Sequence, residues 1–278
     1  MLSVNTSDLT TQKLHQYLLG AIGPRPIAFA STIDKNGNRN LSPFSFFNVF
    51  SAAPPILIFS PARSGRTGET KNTFDNVKEV AEVVINVVNY DIVQQMSLSS
   101  SPYAKGVDEF IKAGLTPIKS DLVKPFRVKE SPVQFECKVN QIIELGQNGG
   151  AGNLIICEVL RIHIKEELLD ENGLIDQKKI DLVSRMGGNW YCRADENSMF
   201  EIAKPLTTIG IGIDQIPEHI RKNKIFTGNE LGLLASVESI PAKDKTNGSP
   251  NNTANIYLKA KKLIGKGEII KAWGILLD

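Results

Sequence analysis

Cysteine and histidine are scarce in this 278-residue chain, with three of each. Cys137, Cys157 and Cys192 are odd in number, widely spaced and without a Cys-x-x-Cys pair, which excludes a disulfide framework and a thiolate zinc site. Cys137 and Cys157 fall inside strand-like runs and are expected as buried apolar packing. His15, His163 and His219 have no ligand-spaced partners, so no metal site is expected. His163 alternates with Arg161 and Lys165, as an exposed strand residue would. Gly-x-Ser-x-Gly is missing, and so is the Gly-Lys-Ser/Thr end of a Walker loop. Gly146–Gly152 is rich in glycine, but it joins two strand-like runs rather than a strand and a helix, which excludes a Rossmann turn.

Charge of one sign is also lacking. With 32 basic and 30 acidic residues and a net charge of +2, nothing marks a duplex nucleic acid as partner. No apolar run reaches the roughly 20 residues of a membrane-spanning helix, so no membrane partner is expected. Met1–His15 shows no basic stretch followed by an apolar one. No signal peptide is expected, the location is read as cytoplasmic, and Asn5, Asn247 and Asn251 then carry no glycan.

What is present is mostly β-prone. Residues 8–19 predict a short helix capped by Asp8, stopped by Gly20, Gly23, Pro24 and Pro26. Ile27–Ile33 predicts a strand, Asp34-Lys35-Asn36-Gly37 a tight turn, and Arg39 the start of a return strand. Further strands are expected at 56–60, 82–88, 133–145 and 153–164, with helices from about Thr73 and over 91–100. Many strands joined by turns favour a barrel or sandwich. Composition shifts after Pro205. A strand is expected over 207–213, short helices at 217–223 and from Thr227, and a polar loop over 243–255. Residues 256–276 mix helical and extended signals.

The chemistry gathers in three places. Ser31, Thr32, Asn40, Ser42, Ser45 and Asn48 supply short polar groups beside Phe44, Phe46 and Phe47. Taken singly, each suits a turn cap or a core. As an ordered set they suit a flat, anionic, ring-bearing ligand, with donors where a reduced flavin gathers charge. Arg63, Arg66 and Lys71 lie near an expected helix N-terminus, where backbone donors and the dipole favour an anion. Arg25, between Pro24 and Pro26, has a restricted backbone that aims one guanidinium.

Residues 24–29, Pro-Arg-Pro-Ile-Ala-Phe, with Ser31-Thr32 and then Asn40–Asn48 resemble the flavin reductase-like family, which includes flavoredoxin-like proteins and reductase components of two-component monooxygenases. Pro54–Leu57, Lys71-Asn72-Thr73 with Asn76, Glu82–Asn86, Gly152–Leu154 and Arg185–Tyr191 agree, although Asn72 stands where the family has Asp. The resemblance covers about residues 15–200. It implies a mainly β fold, a split β-barrel with Greek-key topology and a few peripheral helices, over residues 1–204. Residues 205–278 are expected as an α+β C-terminal extension packing on the barrel or dimer. It also implies a homodimer with FMN near the interface. The flavin ring would be held by Ser45, Phe46, Phe47 and Asn48 and by the strand at Ser31, Thr32 and Ile33. The phosphate would meet Ser60, Arg66, Lys71 and Thr73, with Arg25 as a further cofactor-binding residue, and partner side chains around 185–191 would complete the pocket.

The implied activity is an FMN-dependent oxidoreductase, a flavin reductase moving hydride from NADH or NADPH to flavin. No catalytic residue is assigned, because stacking geometry carries hydride transfer. The alternatives are an FMN-binding electron-transfer protein without nicotinamide activity, and a β-barrel interaction domain without cofactor. A monooxygenase or another electron acceptor would be the protein partner.

Overall fold

A computed structural model of the chain describes residues 1–242 and 253–277. It divides into two compact units, Met1–Phe200 and Glu201–Asp278.

The first unit is built on strands β1 (Ala28–Ile33), β2 (Arg39–Phe44), β3 (Phe47–Ala52), β4 (Pro55–Phe59), β5 (Glu82–Asn86), β6 (Pro117–Ile118), β7 (Arg127–Val128), β8 (Val133–Glu144), β9 (Asn153–Ile164), β10 (Leu182–Arg185) and β11 (Tyr191–Ala194). Seven form one antiparallel sheet in the order β2-β1-β5-β8-β9-β4-β3. The two edge strands, β2 and β3, are consecutive in the chain and separated only by Ser45 and Phe46. In a flat sheet these edges would lie about 29 Å apart. Three Cα–Cα steps span at most about 11 Å. The sheet is therefore rolled, and β2 and β3 meet at one end without pairing.

The turn that starts this geometry is local. Asp34 Oδ1 accepts from the N–H groups of Asn36 and Asn38, and Gly37 takes φ 84°, a value that favours glycine. On one face of β1, Ala28 and Ala30 join Phe59, Ile85, Cys137, Ile155 and Cys157 in an apolar cluster. On the other, Phe29 packs with Leu41, Met96 and Phe110. Burial pushes both cysteine thiols well above their usual range, as inert core residues.

Helices α1 (Thr11–Ala21), α2 (Asn72–Glu79), α3 (Val93–Ser99) and α4 (Glu109–Ala113) surround the sheet. The cap of α1 is Thr10, whose Oγ1 accepts from Lys13 N at 3.2 Å. Asp8, expected as that cap, sits in a preceding 3-10 turn and bonds Asn5 and Ser7 instead. Strand β3 and helix α4 add to the sequence expectation. Residues 47–52 lack a regular alternation, the register to β4 shifting between Val49 and Ser51 with Val49 and Phe50 both exposed, and α4 is only five residues long, with Asp108 as its cap.

The second unit holds α5 (Glu218–Arg221), α6 (Gly228–Leu234), α7 (Thr253–Ile264) and α8 (Ile269–Leu276). Its core centres on fully buried Trp273, whose Nε1 donates to Leu234 O at 2.9 Å. Thr227 and Glu230 form the capping box of α6. The strand expected over 207–213 does not form, and the described residues of this unit are helical rather than α+β. Ile211 and Gly212 donate to Val237 and Ala235, two bonds to a loop rather than a strand ladder. The expected polar loop lies outside the described residues over 243–252, as do Asn247 and Asn251, while Thr253–Asn255 already belong to α7.

Candidate functional site

The linker that joins the sheet edges also walls a site. Two adjoining cavities open in the first unit. The larger, about 470 Å³, is polar and is lined by Asn40, Arg66, Thr73, Ser99 and Glu109 among others. The smaller, about 280 Å³, is lined by His15, Phe44, Ser45, Phe46 and Ser60. Ser42, Lys71 and Ser100 line both.

Helix α2 positions the polar side. It buries Thr73, Phe74, Asn76 and Val77, the i, i+3, i+4 face that draws its first turn onto the sheet. Lys71 occupies its N-cap position with extended backbone, and Asn72 and Thr73 of its first turn line the larger cavity together with the two cations Arg66 and Lys71. A buried amide network fixes the turn. Asn40 Nδ2 donates to Thr73 Oγ1 at 2.9 Å and to Thr32 Oγ1 at 3.3 Å, while Asn76 Nδ2 donates to Thr32 Oγ1 at 3.1 Å. Since Thr73 Oγ1 accepts from Asn40, its own O–H is left for an acceptor in the cavity.

Ser60 repeats this arrangement on the smaller side. Its Oγ accepts from Asn153 N at 3.0 Å, and Asn153 Nδ2 donates to Pro61 O at 2.7 Å. A Cβ at Gly152 would lie 2.9 Å from Ser60 Oγ, and one at Gly149 would lie 2.9 Å from Ser64 O. The glycine-rich hairpin loop is thus the support for the 60–65 segment. Arg63 is used elsewhere, in an ion pair with Glu144 at 2.9 Å.

Of the residues expected to bind a cofactor, Ser45, Phe46, Ser60, Arg66, Lys71 and Thr73 line the cavities. Thr32 stands behind them in the amide network. Ser31 is fully buried and its Oγ has no partner among the described residues. Ile33 is buried in β1, and Phe47 packs on the apolar cluster. Asn48 is exposed, and its Oδ1 accepts from Val49 N. Arg25 is buried just behind the smaller cavity and is not among the residues that line either one. Its guanidinium donates to Leu19 O at 2.9 Å, to Ile22 O, and to Met186 O at 2.7 Å, with a long 3.5 Å contact to Ser45 Oγ. It clasps the C-terminal carbonyls of α1 to the segment that walls the smaller cavity.

Residues 21–181 match the flavin reductase like domain. The chain belongs to the flavin reductase-like family. An uncharacterized protein of Aquifex aeolicus is 38% identical over 182 residues, covering 65% of this chain and 90% of that protein. Among solved structures, nitrilotriacetate monooxygenase component B from Bacillus cereus is 32% identical, with TM-score 0.68, covering 73% of this chain and 98% of that one. The 2-nitrobenzoate 2-nitroreductase of Pseudomonas fluorescens is 25% identical, with TM-score 0.67, covering 76% of this chain and 100% of that one.

As a flavin reductase-like protein, the chain adds residues to the site that sequence reading did not select. His15 and Leu19 come from α1, with the His15 and Phe46 ring centroids 6.3 Å apart in an edge-to-face arrangement. Ser99–Tyr103 form a loop bordering the larger cavity. Glu109 is buried at the start of α4, and its Oε2 accepts from Leu41 N at 3.0 Å. Burial pushes its carboxyl above the usual range, with the Leu41 N–H acting against that. Its apolar neighbours Phe110 and Ala113 carried the only sequence signal, a short amphipathic turn.

Proposed function

We propose that this chain is an FMN-binding flavin reductase that uses NADH or NADPH. The observation that carries the reading is the pair of chemically opposite cavities joined at Ser42, Lys71 and Ser100. One offers flat aromatic surface and the other cations, a helix N-terminus and a free O–H, as a planar ring on a phosphorylated chain requires.

The residues present fit FMN. Phe44, Ser45 and Phe46 would take the ring, and Ser60 would donate to a ring or chain oxygen. Arg66, Lys71 and Thr73 would hold the phosphate by charge-assisted hydrogen bonds. When bound, FMN supplies the two-electron chemistry, accepting hydride from a nicotinamide. The protein orients the reactants and shields them from water; none of its side chains is assigned a proton-transfer role.

The same proposal takes the rolled sheet as a Greek-key split barrel, supported by β4 and β5 being consecutive in the chain but three places apart in the sheet. It takes the working form as a cytoplasmic homodimer delivering electrons to a monooxygenase or another acceptor protein. The exposed apolar side chains Val49 and Phe50 on β3 and Leu160 and Ile162 on β9 support contacts with a partner.

The test is a visible spectrum of purified protein with added FMN, followed by NADH and NADPH separately without oxygen. A bound flavin band bleached by one nicotinamide is expected. A band that persists with both would leave an electron carrier in its place, and failure to bind FMN would overturn the reading.

A further inference from the structure

Glu109 is the buried titratable group that the reading above leaves without a task. It is 5% exposed, yet it lines the larger cavity. Its structural duty occupies one oxygen. Strand β2 is a sheet edge paired only to β1, and the outward N–H of Leu41 finds its partner in Glu109 Oε2 at 3.0 Å. Among the described residues no other residue donates to Oε1, the remaining donor near the carboxyl being the backbone N–H of Glu109 itself. The carboxyl is held rigidly, because Asp108 caps α4, Arg39 pairs with Asp108 at 2.5 Å, and Phe110 is fully buried beside it.

The cavity therefore has two ends of opposite character. Arg66, Lys71 and the Thr73 O–H present donors. Glu109 presents a lone-pair oxygen. A phosphate oxygen at Glu109 would set acceptor against acceptor, whereas a ligand hydroxyl would satisfy a buried carboxyl that is costly to leave unpaired. A polyol chain ending in phosphate has this polarity, with hydroxyl donors along it and acceptors at its end.

We propose that Glu109 is a specificity-determining residue that accepts a hydrogen bond from a hydroxyl of the ligand's polyol chain, the ribityl chain of a flavin. The inference rests on the FMN-binding reading and names what selects the chain rather than the ring or the phosphate.

The test uses riboflavin, which carries the ribityl chain without phosphate, and lumiflavin, which carries the ring alone. Dissociation constants are measured by flavin fluorescence quenching for the full chain and its Glu109→Ala and Glu109→Gln variants. The readout is the preference ratio, lumiflavin Kd over riboflavin Kd. It is expected to fall about tenfold in Glu109→Ala and about threefold or more in Glu109→Gln, where the single amide oxygen is retained by Leu41 N–H and the charge is lost. A purely structural role would weaken both flavins alike, and an unchanged ratio would overturn the proposal. If Glu109→Ala does not fold, the Glu109→Gln ratio decides in the same two ways. Wild-type protein that binds FMN but shows no preference for riboflavin would overturn this inference alone. Failure to bind FMN, riboflavin or lumiflavin would overturn the FMN reading itself.

Discussion

Asn40 Nδ2 lies 2.9 Å from Thr73 Oγ1, and this bond ties the edge strand of the sheet to the first turn of α2. It joins positions 33 apart in sequence and leaves the threonine a donor toward the cavity. Thr73→Val is expected to weaken FMN binding about tenfold, the effect of one charge-assisted hydrogen bond. Riboflavin binding should stay within about twofold of the wild type. Fluorescence titrations of both ligands check this; an equal loss for the two would remove Thr73 from the phosphate.

Arg25 is expected to act as a clasp. Helix α1 buries none of its residues, so the bonds from Arg25 to Leu19 and Ile22 are a main anchor of its end. Arg25→Ala should cost about 2 kcal/mol and speed amide exchange across residues 14–22. Exchange measured by mass spectrometry would separate the roles. A loss of FMN affinity with α1 exchange unchanged would make Arg25 a ligand instead.

Glu136 sets a pH dependence. Its carboxylate is fully buried, which pushes its pKa up, but the N–H groups of Asp121 and Leu122 and the side chain of His163 outweigh burial and hold it below the usual range. A group whose folded pKa is depressed contributes stability above its unfolded value, about 4.3. That contribution is lost as pH falls through the lower folded value. Glu136→Gln is expected to cost about 3 kcal/mol at pH 7 and to flatten the stability curve below about pH 5. Urea unfolding across pH 3–7 tests it, and a parallel curve for the variant would refute the assignment.

The two tryptophans report on different units. Trp273 is fully buried and Trp190 is 77% exposed. Trp190→Phe should leave blue-shifted emission that resists acrylamide. Trp273→Ala should cost about 3–5 kcal/mol in the helical unit. Thermal melts followed by circular dichroism check the second change, and readily quenched emission in the first variant would contradict the buried setting.

Much of this was legible along the chain. The Asp34–Gly37 turn is encoded by neighbours, since one carboxylate serves two N–H groups within four residues. The long strands β8 and β9 and the amphipathic start of α2 follow from periodicity. The order of polar and aromatic residues over 40–48 marked the segment that walls the smaller cavity. The helix start near Thr227 was legible too, with Thr227 or Asn229 as its cap, and the fold takes Thr227 in a capping box with Glu230. By contrast, the mixed signals over 256–276 resolve into two helices only because Trp273, Ala260 and Ile264 share one core.

By itself, then, the sequence determined the local turns, the β-rich class and the residue types that a flavin-like ligand would need. These depend on spacing within a few residues and on resemblance of ordered motifs. Only the tertiary structure decided which of those residues face a cavity. Rolling the sheet brings Ser45 and Phe46 between its two edges, packing of α2 sets Asn40 on Thr73, and pairing of β4 with β9 brings Ser60 to Asn153, 93 positions away. It also spends Arg25 on α1 and turns Glu109 toward the cavity. Hydrogen bonds between distant segments have no periodic trace, because each side chain is chosen by a partner that the chain supplies only after folding.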